Sequence, residues 1–197
     1  MAAGDSAVHP VLRAARNRRG ADYLPHMRNI LFPSLILLAL PLAAGAQEIR
    51  LGVLGHDVGV FGTNHEDGID INGEVLFSSP DFLAPIWSPR PHVGVAVNTA
   101  GNTSVAYAGV TWTWQPTERF FFDFSFGPAI HNGKLDTNDP DRVSLGSRVL
   151  FRESASIGFN LTERHSISVY LAHISNANLA DRNEGMDNLG IRWGYRF

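Results

Sequence analysis

The sequence predicts an all-β fold, an eight-stranded antiparallel transmembrane β-barrel. Three observations carry this expectation. From Gln47 onward, eight segments alternate apolar side chains with polar residues or glycine, the period-two repeat that sends successive side chains to opposite faces of a strand. Most segments run for about ten residues, the length a tilted strand needs to cross a bilayer. Nothing after residue 46 is long and apolar enough to be a spanning helix. Insertion into lipid would therefore be as a closed barrel, the other arrangement that satisfies every backbone N–H and C=O.

The first segment, near 48–57, sets Ile49, Leu51 and Val53 against Arg50 and Gly52. The second, near 68–78, sets Ile69, Ile71, Val75 and Phe77 against Asp70, Asn72 and Glu74. The third, near 91–98, carries Val93, Val95 and Val97, and the fourth, near 104–115, carries Ala106, Ala108, Val110, Trp112 and Trp114. The fifth, near 118–129, has a row of Phe120, Phe122, Phe124 and Phe126 against Asp123, Ser125 and Gly127. That row reads as lipid contact. The sixth, near 146–161, sets Val149, Phe151, Ala155, Ile157, Phe159 and Leu161 against Arg152, Ser154, Ser156 and Asn160. Glu153 falls on its apolar face, which demands either a depth near an interface or a different register. The last two segments flank a polar loop. One carries His165, Ile167, Val169, Leu171, His173 and Ser175 on a single face; the other carries Asp187, Leu189, Ile191, Trp193, Tyr195 and Phe197. Opposite the latter lie Asn188, Gly190, Arg192, Gly194 and Arg196, poor material for a soluble core. The terminal Phe197, with Tyr195 and Trp193 in step, is similar to the C-terminal signature of bacterial outer-membrane barrels.

The connections alternate in length. Gln115-Pro116-Thr117 and Thr162-Glu163-Arg164 are short; 57–67, 129–145 and 177–185 are long. With both termini periplasmic, the short links are periplasmic and the long ones lie outside. The link 79–90, SPDFLAPIWSPR, is periplasmic by this count yet long, and is expected to hold a short interfacial helix or a proline-rich turn.

Residues 1–46 are assigned to an N-terminal extension and signal peptide, and 47–197 to the barrel. Met27 is read as the start: Arg28, an apolar run over 30–42 and Ala44-Gly45-Ala46 form a secretory signal with cleavage after Ala46. The run is too short for a comfortable spanning helix. Without residues 1–46 the chain keeps 11 basic and 17 acidic residues, a net charge of about −6. No basic patch suggests nucleic acid or anionic lipid. There is no cysteine, so the fold is not a disulfide scaffold.

His173 and Ser175 sit two apart on one strand face, their Cα atoms roughly 6–7 Å apart. If the last two segments pair as a hairpin, Asp187 lies opposite or diagonal to them. A nucleophile, a base and an orienting carboxylate then share one surface, as hydrolytic triads require. The same count places them at outer-leaflet depth, facing lipid, where such polarity is costly unless the groups bond one another or a substrate.

The string HISNANLADRNEGMD resembles the active-site hairpin of the lipid A 3-O-deacylase (PagL) family, which has His-x-Ser-Asn-Ala followed by Asn-x-Gly-x-acid. The matching residues are His173, Ser175, Asn176, Ala177, Asn183, Gly185 and Asp187. Asp187 stands where the family usually has Glu. The resemblance implies an outer-membrane enzyme that hydrolyses the ester-linked 3-hydroxyacyl chain at position 3 of lipid A, with Ser175 as nucleophile, His173 as base, Asp187 as orienting acid and no cofactor. Asn176 and Asn183 read either as turn residues or as side-chain donors to an oxyanion; Asn183 is the favoured donor, with a backbone N–H after Ser175 as the rival. Expected partners are lipopolysaccharide and outer-membrane lipid, not nucleic acid; a homodimer is left open. The alternatives are a non-enzymatic structural or adhesive barrel of the OmpA/OmpX kind and an acyltransferase barrel such as the lipid A palmitoyltransferase.

Other candidates carry less. His56-Asp57 and His65-Glu66-Asp67 have metal-compatible side chains but read as a solvated outer loop. Residues 136–141 hold four carboxylate or amide side chains in calcium-loop fashion, yet lack glycine at the sixth position and have Ser147 at the twelfth. No metal is assigned. There is no G-x-S-x-G elbow, phosphate loop or zinc motif.

Overall fold

The computed structural model of the protein describes residues 46–197. The N-terminal extension and signal peptide lie outside the described residues, apart from Ala46, which opens the first strand. Eight strands follow: β1 Ala46–Gly55, β2 Ile69–Phe77, β3 Arg90–Asn98, β4 Val105–Trp114, β5 Phe120–His131, β6 Val149–Asn160, β7 His165–Ser175 and β8 Met186–Arg196. Each pairs antiparallel with its neighbour, and β1 closes on β8 from Glu48↔Arg196 to Gly55↔Leu189. Closure leaves no strand edge unpaired in lipid.

The alternation sets the two faces as expected. Leu51, Val53, Ile71, Val95, Ile157 and Ile191 are exposed on the outer wall, and so is the Phe120–Phe126 row. Aromatic pairs line the periplasmic end of that wall, including Trp114 with Phe122 and Trp193 with Tyr195, in the manner of an interfacial girdle. Between β2 and β3 the long periplasmic link forms a short 3-10 helix, Asp81–Ile86, containing Pro85. The Trp112 indole N–H donates to Ile86 O at 2.8 Å and ties it to the wall.

The interior is filled by side chains, as eight strands require. Its middle is ionic. Arg50 bonds Glu48 at 2.7 Å and Asp123 at 2.9 Å, and Arg192 bonds Glu74 at 3.0 Å. The Arg152 and Arg192 guanidinium groups lie over the Tyr107 and Tyr170 rings at 3.7 and 3.8 Å. Toward the outer end the filling turns apolar: Val105, Ala129, Leu150, Ile174 and Met186 pack under Val143 and Leu145 of the β5–β6 loop. This apolar layer was not expected from the polar inner face, and it gives the outer loops a floor to rest on.

Candidate active site

β7 and β8 pair in unbroken register with His173 directly across from Asp187. The imidazole Nδ1 and Asp187 Oδ1 are 2.6 Å apart, a charge-assisted contact. The shorter acid therefore reaches the ring without any shift of the strand. Ser175 lies on the same face, one pleat nearer the loop, and is partly exposed. Among the described residues its side chain makes no hydrogen bond to His173. One step beyond the ladder, across from Ser175, is Gly185. A Cβ there would stand 2.8 Å from His173 Cε1 and 3.4 Å from Nε2. The Cε1–Nε2 edge of the ring thus lies against Gly185, and glycine is needed there because φ is +71° and the ring fills the space.

Asn176 and Asn183 come together, but in the service of the loop. The Asn176 backbone N–H donates to Asn183 Oδ1 at 2.8 Å. The buried Asn176 amide donates to Leu145 O at 3.0 Å and to Arg182 O at 2.5 Å. Asn183 Nδ2 donates to Asn178 Oδ1 at 3.0 Å, which leaves one of its two hydrogens uncommitted. Leu179 N–H closes a turn on Asn176 O at 3.1 Å, with Ala177 and Asn178 both at positive φ. That conformation suits Asn and costs about 1–2 kcal/mol for Ala, so the Asn176 and Asn183 hydrogen bonds hold a strained turn beside Ser175. Glu184 Oε2 accepts from Ser144 N–H at 2.6 Å, docking this loop against the one from β5 to β6.

The loop from β1 to β2 corrects the expectation of a solvated segment. His56, Asp57 and Glu66 are buried, in the barrel mouth; Asp67 is exposed and His65 is partly covered. His56 bridges Asp70 and Glu66 through its two ring nitrogens, at 2.9 and 3.1 Å. Burial opposes a charged imidazole, but the hydrogen bonds to Asp70 and Glu66 overcome it and raise His56 to about 9. Burial likewise opposes the charged Glu66, and bonds from His56 and from Thr103 hold it down at about 2. Burial raises Asp57 despite two backbone N–H donors.

This loop also covers Asp187. By register the carboxylate belongs to the outer wall, yet it is fully buried, because Phe61 and Gly62 lie over it and donate their N–H groups to Oδ2 at 2.6 and 3.0 Å. The Phe61 ring meets the imidazole edge-on at 5.9 Å. Of the three residues of the expected triad, His173 and Ser175 remain partly exposed while Asp187 is covered. Glu153 keeps the expected register: it is directly across β6–β7 from His173. The outward faces of the described strands thus carry two carboxylates, Asp187 and Glu153, and both flank the same histidine. Phe61, Gly62 and the role of Gly185 were not read from the sequence; the glycines and flanking charges of the 56–68 loop were the available signal.

A closed eight-stranded barrel with an apolar outer wall, interrupted at its outer end by a histidine–carboxylate pair, defines a small outer-membrane barrel with a reactive-looking site on its lipid face. The family model described as Lipid A 3-O-deacylase (PagL) matches residues 85–196, and the chain belongs to that family. The lipid A deacylase PagL of Bordetella bronchiseptica (strain ATCC BAA-588 / NCTC 13252 / RB50) is 28% identical over 97 residues, 49% of this chain and 52% of the relative, so the match spans about half the length of that relative. In fold, the crystal structure of the outer membrane enzyme PagL is similar at a TM-score of 0.58 and 14% identity, covering 76% of this chain and 99% of that one. A de novo designed transmembrane β-barrel is similar at 0.50 and 9% identity, over 78% of this chain and 96% of that one.

Proposed function

We propose that the protein is a serine esterase that removes the 3-hydroxyacyl chain esterified at position 3 of lipid A. The observation that carries this reading is the His173–Asp187 pair at 2.6 Å on the lipid-facing wall, with Ser175 one pleat away on the same face. Membership of the family supports it. Ser175 Oγ attacks the ester carbonyl while His173 Nε2 takes its proton; the tetrahedral intermediate expels the sugar alkoxide, which receives that proton. Water, deprotonated by the same imidazole, then releases the fatty acid and restores Ser175. Asp187 holds the ring with Nε2 toward the nucleophile and stabilises the imidazolium. The free hydrogen of Asn183 Nδ2 is the favoured donor to the oxyanion; the Asn176 amide and its backbone N–H are committed elsewhere. A site on the outer wall meets an acyl ester of the outer leaflet without drawing its substrate from the bilayer.

The test is the mass of lipid A after incubation with refolded protein. Loss of one 3-hydroxyacyl group is expected. A gain of an acyl group would mean a transferase, and no change from a folded barrel would mean a non-enzymatic one.

A further inference from the structure

The Asp187 carboxylate is held from outside its own hairpin by the β1–β2 loop. Its Oδ1 faces His173, and its Oδ2 takes two backbone N–H groups from a loop more than 120 residues away in sequence. A third loop N–H, that of Val58, donates to the backbone carbonyl of the same residue, Asp187 O, at 2.7 Å. Gly62 lies so close to the β7–β8 loop that a Cβ there would stand 2.8 Å from Glu184 O.

The loop is anchored at both of its ends. At the start, Asp57 N–H donates to Asn188 Oδ1 at 3.2 Å, and His56 is gripped by Asp70 and Glu66. At the far end, Asp57 Oδ2 accepts the N–H groups of His65 and Glu66 at 2.8 and 3.0 Å, folding the loop back on itself. Glu66 in turn receives Thr103 N–H at 2.8 Å from the β3–β4 loop, and Arg142 Nε at 3.0 Å and Val143 N–H at 3.3 Å from the β5–β6 loop. The Glu66 carboxylate is buried and the Arg142 contact is an ion pair, and three outer loops converge on this one carboxylate.

We propose that the β1–β2 loop is a positioning element of the active site, in which the Phe61 and Gly62 N–H groups orient the Asp187 carboxylate and the His56–Glu66–Asp70 cluster latches the loop where they can do so. It rests on the reading of His173 and Asp187 as catalytic. Two amide donors on Oδ2 pin the carboxylate rotation, so Oδ1 meets Nδ1 with no freedom left to lose. This does for an aspartate what a longer acid would do by reach.

The latch has a pH signature. The groups facing His56 are Asp70 from β2, Glu66 from its own loop and Asn188 and Asp57 alongside, with Arg142 beyond Glu66. His56 is raised to about 9, so its contribution is complete below its ordinary value near 6.5 and is lost as pH rises through about 9. Glu66, lowered to about 2, contributes fully above its ordinary value near 4.5, and that contribution is lost only as pH falls through about 2.

The experiment uses the refolded barrel with Glu66→Gln, which weakens the latch, and Gly62→Ala, which lifts the loop by steric contact, beside Ser175→Ala as the inactive control. Steady-state kinetics on lipopolysaccharide and on a small aryl ester should show kcat lowered about 10- to 100-fold on both, with KM little changed, as expected for misplacement of about 1 Å. Wild-type kcat should fall as pH rises through about 9. Unchanged kcat in both variants overturns the proposal, as does a rise in KM for lipopolysaccharide alone, which would make the loop a lipid-binding rim. Amide hydrogen exchange decides the point without activity. The Phe61 and Gly62 amides should be protected, and should lose at least tenfold of that protection in Asp187→Ala and Glu66→Gln while Val53 in β1 is unaffected. Free exchange of both amides in wild type overturns the proposal even if the esterase reading fails.

Discussion

Two regions of this barrel carry charge into the membrane, and they are built on opposite principles. Inside, Arg50, Glu74, Arg152 and Arg192 are closed off from water and lipid and bond each other, Glu48, Asp123 and two tyrosines. Outside, Asp187 is satisfied three times over, but His173 stays partly exposed on the face it shares with Ser175. The inner network uses its charges to fill a small barrel. The outer cluster spends all its bonds on one side of a ring and leaves the other side free. A set of polar groups that completes itself is structural; one that is tightly held yet incomplete is, on the proposed reading, prepared for a substrate.

That contrast can be broken at several points. Asp187→Asn should keep the fold and the contact but leave the imidazole in the wrong tautomer, lowering kcat on the order of 10⁴-fold; a rate near wild type would place the chemistry elsewhere. Glu74→Leu should do the reverse. Stranding Arg192 and Arg50 inside should cost about 3–5 kcal/mol, read by urea unfolding, while the folded fraction keeps its kcat. Gly185→Ala combines a Cβ against the His173 ring with φ of +71°, and a ring displaced by about 1 Å should lose on the order of 10²-fold in kcat. Glu153→Gln should matter least. A cross-strand charge contact of about 0.2–1 kcal/mol corresponds to at most about fivefold in rate, and a larger loss would make Glu153 part of the site.

The strands were legible because their outer faces are uniformly apolar: the Phe120–Phe126 row and Ile167–Leu171 admit only one register. Even Glu153, the residue that questioned that register, sits where the alternation put it. The hairpin that carries His173, Ser175 and Asp187 was legible because all three lie within 15 residues and share one parity. The clamp over Asp187 was not, because its donors are backbone N–H groups, which Phe61 and Gly62 share with nearly every residue. The charges of His56, Asp57 and Glu66 pointed toward water. Only closure of the barrel, which brings β1 beside β8 and three loops over an apolar floor, turns them inward.

The most direct test of the outer cluster as the working centre is the rate at which the Ser175→Ala barrel releases 3-hydroxy fatty acid from lipopolysaccharide, measured on protein whose thermal unfolding matches wild type. The predicted result is a rate at least about 10³-fold lower. Release within tenfold of wild type would contradict the account, because among the described residues no other hydroxyl on the lipid-facing wall shares the strand face of His173.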